Sequence, residues 1–188
     1  MSGVKSLYTI RECAKDILAT IEKCKTDQEE LAAGLKAAAR RLTDRPDFAS
    51  LGVKYQPNHI PEGKYLYYDG QLSIVMAKIP EGKIIPPHDH GTWEAMIVVT
   101  GRLRHTVFAR ADDGTRDGYA ELAVADDRVL DPHDIAMVAP PAEIHSFNAV
   151  EGDCWVMVIV GENYKPNRSY YQPEKNAYVV RLARAASA

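Results

Sequence analysis

From Leu72 onward the chain is written in short apolar runs broken by turn residues, and this punctuation limits the fold more than any other feature. The runs Leu72–Ile79, Ala95–Thr100, Leu103–Ala109, Ala120–Val124, Ile135–Ala139, Cys154–Val160 and Ala177–Leu182 have strand length and are rich in β-branched residues. Asp69-Gly70, Asp113-Gly114 and Asp117-Gly118 supply turn signals between them. Many short strands joined by such turns predict a mainly β domain, either a sandwich or a barrel.

The first quarter reads differently. Leu7, Ile10, Ala14, Ile17, Leu18 and Ile21 recur at helical spacing with charges between them. A second helix is expected from Asp27, where Asp27 and Glu30 have capping-box spacing, with an apolar stripe of Leu31, Leu35, Ala38 and Leu42. The two stripes are expected to pack against each other and the β domain. Between Arg45 and Gly70, the residues Pro46, Gly52, Pro57, Pro61 and Gly63 predict a loop-rich connector. The expected organisation is a helical extension over 1–45, a connector over 46–70 and a β domain with a C-terminal arm over 71–183, ending in a frayed tail.

Composition narrows the function classes. The 188 residues suit one domain, and the net charge of -3, with no Lys/Arg block, argues against nucleic acid as a partner. Met1 to Thr20 lacks the layout of a secretory signal, and no apolar run has transmembrane length, so a cytoplasmic protein without a membrane partner is expected. Cys13, Cys24 and Cys154 show no CxxC spacing and are expected as reduced thiols.

One stretch carries more ionisable chemistry than a sheet needs. In "PPHDHGTWEAMIVVTG", His88, His90 and Glu94 share a parity. Strand side chains alternate faces, so all three are expected to point into one interior. Imidazole nitrogens with a carboxylate suit borderline first-row ions such as Fe, Ni, Co, Mn or Zn. His145, beyond the Ile135–Ala139 run and a Pro140-Pro141 turn, is the candidate for a further ligand. Asp89 has the opposite parity and is expected to bond local backbone. His59 and His133 are expected in surface turns, Trp93 and Trp155 in the core, and Asn148 as a brace for the loop carrying His145.

Gly82, His88, His90, Glu94 and Gly101 reproduce the spacing of the first cupin motif, and "DIAMVAPPAEIHSFN" resembles the second through Pro140, His145 and Asn148. The resemblance implies a double-stranded β-helix, a jelly-roll barrel with one divalent metal in its mouth. N-terminal helices, "HDHG", "GRLRHTVF", "IHSFN" and an extended C-terminal arm resemble, more narrowly, the cysteine dioxygenase group of thiol dioxygenases. That group holds Fe(II) with three histidines, which fall here on His88, His90 and His145, and uses the iron to add dioxygen to a thiol. Glu94 is expected as a fourth ligand or as a base, with Ni, Mn or Zn as alternative metals. Tyr65, Tyr67, His105 and Tyr164 are the candidate substrate-facing residues.

The group's substrate-gripping arginine should lie near Tyr65–Tyr68, where none stands, and its Ser-His-Tyr set should lie on the strand that here reads "CWVMVIVG". Cysteine is therefore expected to be a poor substrate, and a less polar thiol or a chelating carbonyl compound a better one. Oxygen-independent lyase or isomerase chemistry and a non-catalytic ligand-binding cupin are the alternatives. A homodimer through sheet edges is compatible with the fold.

Overall fold

A computed structural model describes residues 7–24, 27–53 and 63–182. Two helices come first, α1 over Ile10–Cys24 and α2 over Gln28–Thr43. Eleven strands follow: β1 Gly63–Tyr68, β2 Leu72–Ile79, β3 Ile84–His88, β4 Glu94–Thr100, β5 Leu103–Arg110 and β6 Leu122–Leu130, then β7 Ile135–Val138, β8 His145–Ala149, β9 Cys154–Gly161, β10 Asn167–Gln172 and β11 Ala177–Leu182. They form two antiparallel sheets, ordered β1-β2-β9-β4-β7 and β11-β10-β3-β8-β5-β6. The double-stranded β-helix expected from the motifs is the fold.

The first sheet is buried on both faces, and its strands are accordingly near-continuous apolar runs. Leu72, Ile74 and Met76 of β2, Ala95 and Ile97 of β4, and Met157 and Ile159 of β9 join the helices in one core. That core takes Cys13, Ala14 and Ile17 from α1 and Leu31, Leu35, Ala38 and Leu42 from α2. Leu7 and Leu18, expected in the first stripe, are instead exposed. Residues of the opposite parity, including Ala77, Ile79, Met96, Val98, Val156 and Val158, fill the barrel interior against Leu103 and Leu130. Glu94 has the interior parity on β4, so pleat alone turns its carboxylate into the barrel. The expected capping box is half present: Asp27 accepts from the Glu30 amide at 2.9 Å, while the Glu30 carboxylate pairs with Lys23.

Five strands depart from the sequence expectation, four of them absent from it and one displaced. β1 lies inside the expected connector, and β3, "IIPPH", carries two prolines that lower its strand signal. β8 is short, and β10, "NRSYYQ", has no apolar run. The expected strand at Ala120–Val124 is Leu122–Leu130, because β6 is an edge strand whose solvent-facing "ADDRV" needs no apolar alternation. Gly101, at φ +78°, has a positional reason: a Cβ there would lie 2.5 Å from the Asp153 carbonyl oxygen. His59 and residues 183–188 lie outside the described residues. No helix among the described residues is long and apolar enough to cross a membrane.

Candidate metal centre

The histidines converge from two strands and a loop. His88 ends β3 and pairs across the sheet with His145, which begins β8. His90 lies not on a strand but in the loop that leaves β3 in one sheet for β4 in the other. The shared-parity reason for grouping His88, His90 and Glu94 is thus corrected: a loop crossing the barrel mouth, not one pleated strand, brings them together. Glu143 holds this loop, its Oε2 accepting the His90 amide at 2.9 Å and the Gly91 amide at 2.6 Å. Gly91 sits at φ +75°, where a glycine is unstrained. The Lys165 amide donates to the His90 carbonyl at 2.9 Å.

His88, His90 and His145 are buried, and one ring nitrogen from each lies within 4.8 Å of the other two. The His90 and His145 Nε2 atoms are 2.9 Å apart. Two nitrogens bound at ~2.0–2.1 Å to one ion, at right angles to each other, lie ~3 Å apart, so this edge fits a metal. His88 Nδ1 lies 2.9 Å from the Pro86 carbonyl, which can only accept, so Nδ1 carries the proton and Nε2 keeps its lone pair. Burial lowers the His88 pKa to about 4 and holds His90 and His145 well below the usual imidazole range. Neutral imidazoles are what a divalent ion requires.

Glu94 stands beside the triad. Its Oε2 is 3.5 Å from His90 Nε2 and its Oε1 is 3.7 Å from His145 Nε2. The Tyr164 hydroxyl donates to Oε2. Burial pushes the Glu94 carboxyl up to about 7, opposed by the Tyr164 hydrogen bond and by Arg168. The Tyr164 ring lies over His90 with centroids 4.7 Å apart, and the Arg168 guanidinium covers the Tyr164 ring at 4.1 Å.

Arg168 was missed at the sequence level. It comes from β10, is 8% exposed, and lines the same cavity of about 350 Å³ as His88, His90, Glu94 and Tyr164. Its Nε and Nη2 atoms are buried without a hydrogen-bond partner among the described residues. The only signal for it was period-two alternation: Arg168 and Tyr170 line the cavity, while Tyr171 turns to the other side and bonds Asp89. The cavity is otherwise mainly apolar, with Met96, Val156, Val158 and Phe147 among its walls.

Other expected site residues fall elsewhere. Tyr164 lines the cavity, but Tyr65 and Tyr67 do not: Tyr65 is buried edge-on to Tyr68, and Tyr67 donates to Asp69 at 2.9 Å. His105 is buried behind His145 rather than in the cavity, with Nε2 2.8 Å from His145 Nδ1. Asp89 does not serve local backbone. It accepts from the Ser169 amide at 2.9 Å and the Tyr171 hydroxyl at 3.2 Å, and pairs with Lys165 at 2.7 Å, tying the β10 arm to the metal loop. Among the described residues the Asn148 side chain donates to the Ala149 carbonyl within its own strand and to nothing in the loop before His145.

The PCO_ADO family model matches residues 31–182, a span that takes in every strand. The chain belongs to the PCO_ADO family. This is the cysteamine/cysteine dioxygenase family of cupins, so the resemblance carried by the histidine motifs holds. The PCO_ADO chain is a metal-dependent, thiol-dioxygenase-like cupin. No curated protein matches it. Among solved structures, a cupin superfamily protein from Desulfitobacterium hafniense DCB-2 is similar at 17% identity and TM-score 0.41, over 64% of this chain and 93% of that one. KdgF from Halomonas sp. is similar at 20% identity and TM-score 0.41, over 54% and 77%. Hydroquinone 1,2-dioxygenase PnpCD is similar at 11% identity and TM-score 0.40, over 53% and 62%.

Proposed function

We propose that the chain holds one Fe(II) through His88, His90 and His145 and oxidises a small thiol bearing a carboxylate with dioxygen. The observation that carries this reading is the make-up of one cavity: buried, converging imidazoles at its base and, on its wall, an arginine whose Nε and Nη2 have no hydrogen-bond partner among the described residues. The expectation that cysteine would be a poor substrate rested on the lack of an arginine near Tyr65–Tyr68 and on the apolar strand that stands in place of a Ser-His-Tyr set. Arg168, reaching the cavity from β10, answers the first of these reasons.

The reaction is RSH + O2 giving the sulfinic acid RSO2H: the O–O and S–H bonds break, two S–O bonds form, and sulfur gives up the four electrons that dioxygen accepts. Bound Fe(II) supplies the redox chemistry that lets dioxygen react with a thiolate. The chain's own residues prepare the partners. Arg168 offers a fork of N–H donors to the carboxylate, fixing one end of the substrate. Glu94, held near neutrality in its pKa, takes the thiol proton on Oε1, and the Tyr164 hydroxyl holds its other oxygen. Met96, Val156 and Val158 keep bulk water from the reacting end. In this role Glu94 would serve as base rather than as ligand, with the Tyr164 hydroxyl holding its Oε2.

An oxygen electrode tests the reading with Fe(II)-loaded protein and a panel of mercapto-carboxylic acids, cysteine, cysteamine and chelating carbonyl compounds. Oxygen uptake with the carboxylate thiols is expected. Arg168→Met should raise KM for them by roughly 10- to 100-fold, the loss of a charge-assisted hydrogen bond of about 1.5–3 kcal/mol, and leave cysteamine unaffected. Equal effects on both substrate types would remove Arg168 from substrate binding. A second reading is favoured by the same near-neutral Glu94: lyase or isomerase chemistry with Glu94 as base. Turnover at equal rates without oxygen would establish it and overturn the first.

A further inference from the structure

His105 has no place in the chemistry above, yet it is among the most deeply buried side chains of the barrel, at 1% exposed. It stands on β5 with the inward parity of Leu103, opposite Phe147 of β8 and hence diagonal to His145. That diagonal brings two imidazoles edge to face, with ring centroids 5.0 Å apart and His105 Nε2 2.8 Å from His145 Nδ1. A hydrogen bond between two ring nitrogens has one proton, and its owner decides what His145 can do at its other nitrogen.

His145 Nε2 faces His90 Nε2 at 2.9 Å, on the edge that fits a metal. To ligate there, Nε2 must present a lone pair, so the His145 proton must sit on Nδ1. The partner within reach of that N–H is His105 Nε2, which must then accept. His105 in turn must carry its own proton on Nδ1, and that atom is buried with no hydrogen-bond partner among the described residues. The reverse arrangement, with His105 Nε2–H donating, puts a hydrogen on His145 Nε2 and blocks the site. The groups that bear electrostatically on His105 are Arg128, Asp126 and His88, none of which occupies its Nδ1.

We propose that His105 is a positioning residue: its Nε2 accepts the Nδ1–H of His145 and so fixes His145 in the tautomer whose Nε2 holds the metal. Metal-bound histidines ordinarily donate this second N–H to a carboxylate, a carbonyl or water, and here a neutral imidazole takes that part. The inference rests on the assignment of His88, His90 and His145 as ligands.

Zinc, which is diamagnetic, is the probe. The 15N spectrum of the zinc-loaded protein should show His145 protonated at Nδ1 and His105 protonated at Nδ1 with an acceptor-type Nε2. Competition against a chelator should show His105→Leu losing roughly 10- to 100-fold in zinc affinity. His105→Gln, whose amide oxygen reaches the position of Nε2, should recover most of that loss, a rescue that a packing role would not give. Wild-type protein that takes up no zinc would overturn the ligand assignment and this inference with it. Zinc bound normally, with His145 unprotonated at Nδ1 or with His105→Leu at wild-type affinity, would overturn this inference alone. Should His105→Leu fail to fold, the wild-type spectrum still decides.

Discussion

Glu143 is the residue whose removal should reveal how the metal loop is held. Its Oε2 accepts two backbone amides, those of His90 and Gly91, and the side chain is 9% exposed. Hydrogen bonds to a charged acceptor are worth about 1.5–3 kcal/mol each, and a buried N–H left without a partner costs about 1–3 kcal/mol. Glu143→Ala strips both amides of their acceptor at once, so a loss of about 3 kcal/mol is the low end of what the geometry implies. At roughly 2–4 °C per kcal/mol for a domain of this size, the melting temperature should fall by about 6–12 °C. Glu143→Gln keeps one accepting oxygen in place and should lose only about 1 kcal/mol, the charge-assisted share. The second readout is metal affinity, since the His90 backbone is half of what Glu143 holds. Thermal melts of the metal-free variants and a Zn(II) competition titration measure both. If Glu143→Ala melts within 2 °C of wild type, by the same conversion under about 1 kcal/mol, and binds zinc as tightly, the loop is held by the Lys165–His90 bond instead.

Two further outcomes follow from the same site. Glu94→Gln should retain the metal and lose turnover, because Glu94 lies beside the triad and its Oε2 is engaged by Tyr164; metal analysis with a parallel oxygen-uptake assay checks this, and loss of metal would make Glu94 a ligand. The metal-free protein should lose stability as pH falls from 6.5 toward 4. His88, His90, His105 and His145 all have folded pKa values below their unfolded ones, so the stability present above pH 6.5 is lost through that window. For His88 alone, a fall from 6.5 to about 4 is of order 3 kcal/mol. Glu94, raised to about 7, works in the opposite direction and offsets about one histidine. Urea melts at a series of pH values, metal-free, would show it; a flat profile between pH 7 and 4.5 would contradict the burial argument.

The barrel was legible wherever burial on two faces wrote itself as an unbroken apolar run. Leu72–Ile79 matches the observed strand, and Cys154–Val160 stops one residue short. Ala177–Leu182 also matches, but as an exposed edge strand whose β-branched residues, not burial, mark it. Strands that meet solvent, such as β6 with its "ADDRV", or that end at the metal, such as β3 with its two prolines, carry constraints other than packing and lacked that signature. His88, His90 and His145 were legible because spacing encodes them. Glu143 and Arg168 were not, because only the fold brings Glu143 to the His90 and Gly91 amides and Arg168 to the cavity beside His88 and Glu94, and no local pattern records either. His105 was legible as chemistry but not as position, since its inward face depends on the pairing of β5 with β8.

The proposed chemistry requires a metal at the three histidines. A crystal of Fe(II)-loaded protein, measured at the iron edge, gives that position in one anomalous difference map. The expected result is a single peak per chain, within bonding distance of the Nε2 atoms of His88, His90 and His145, with the Glu94 carboxylate beyond it. A peak elsewhere, or none at these histidines in iron-replete protein, would contradict the account.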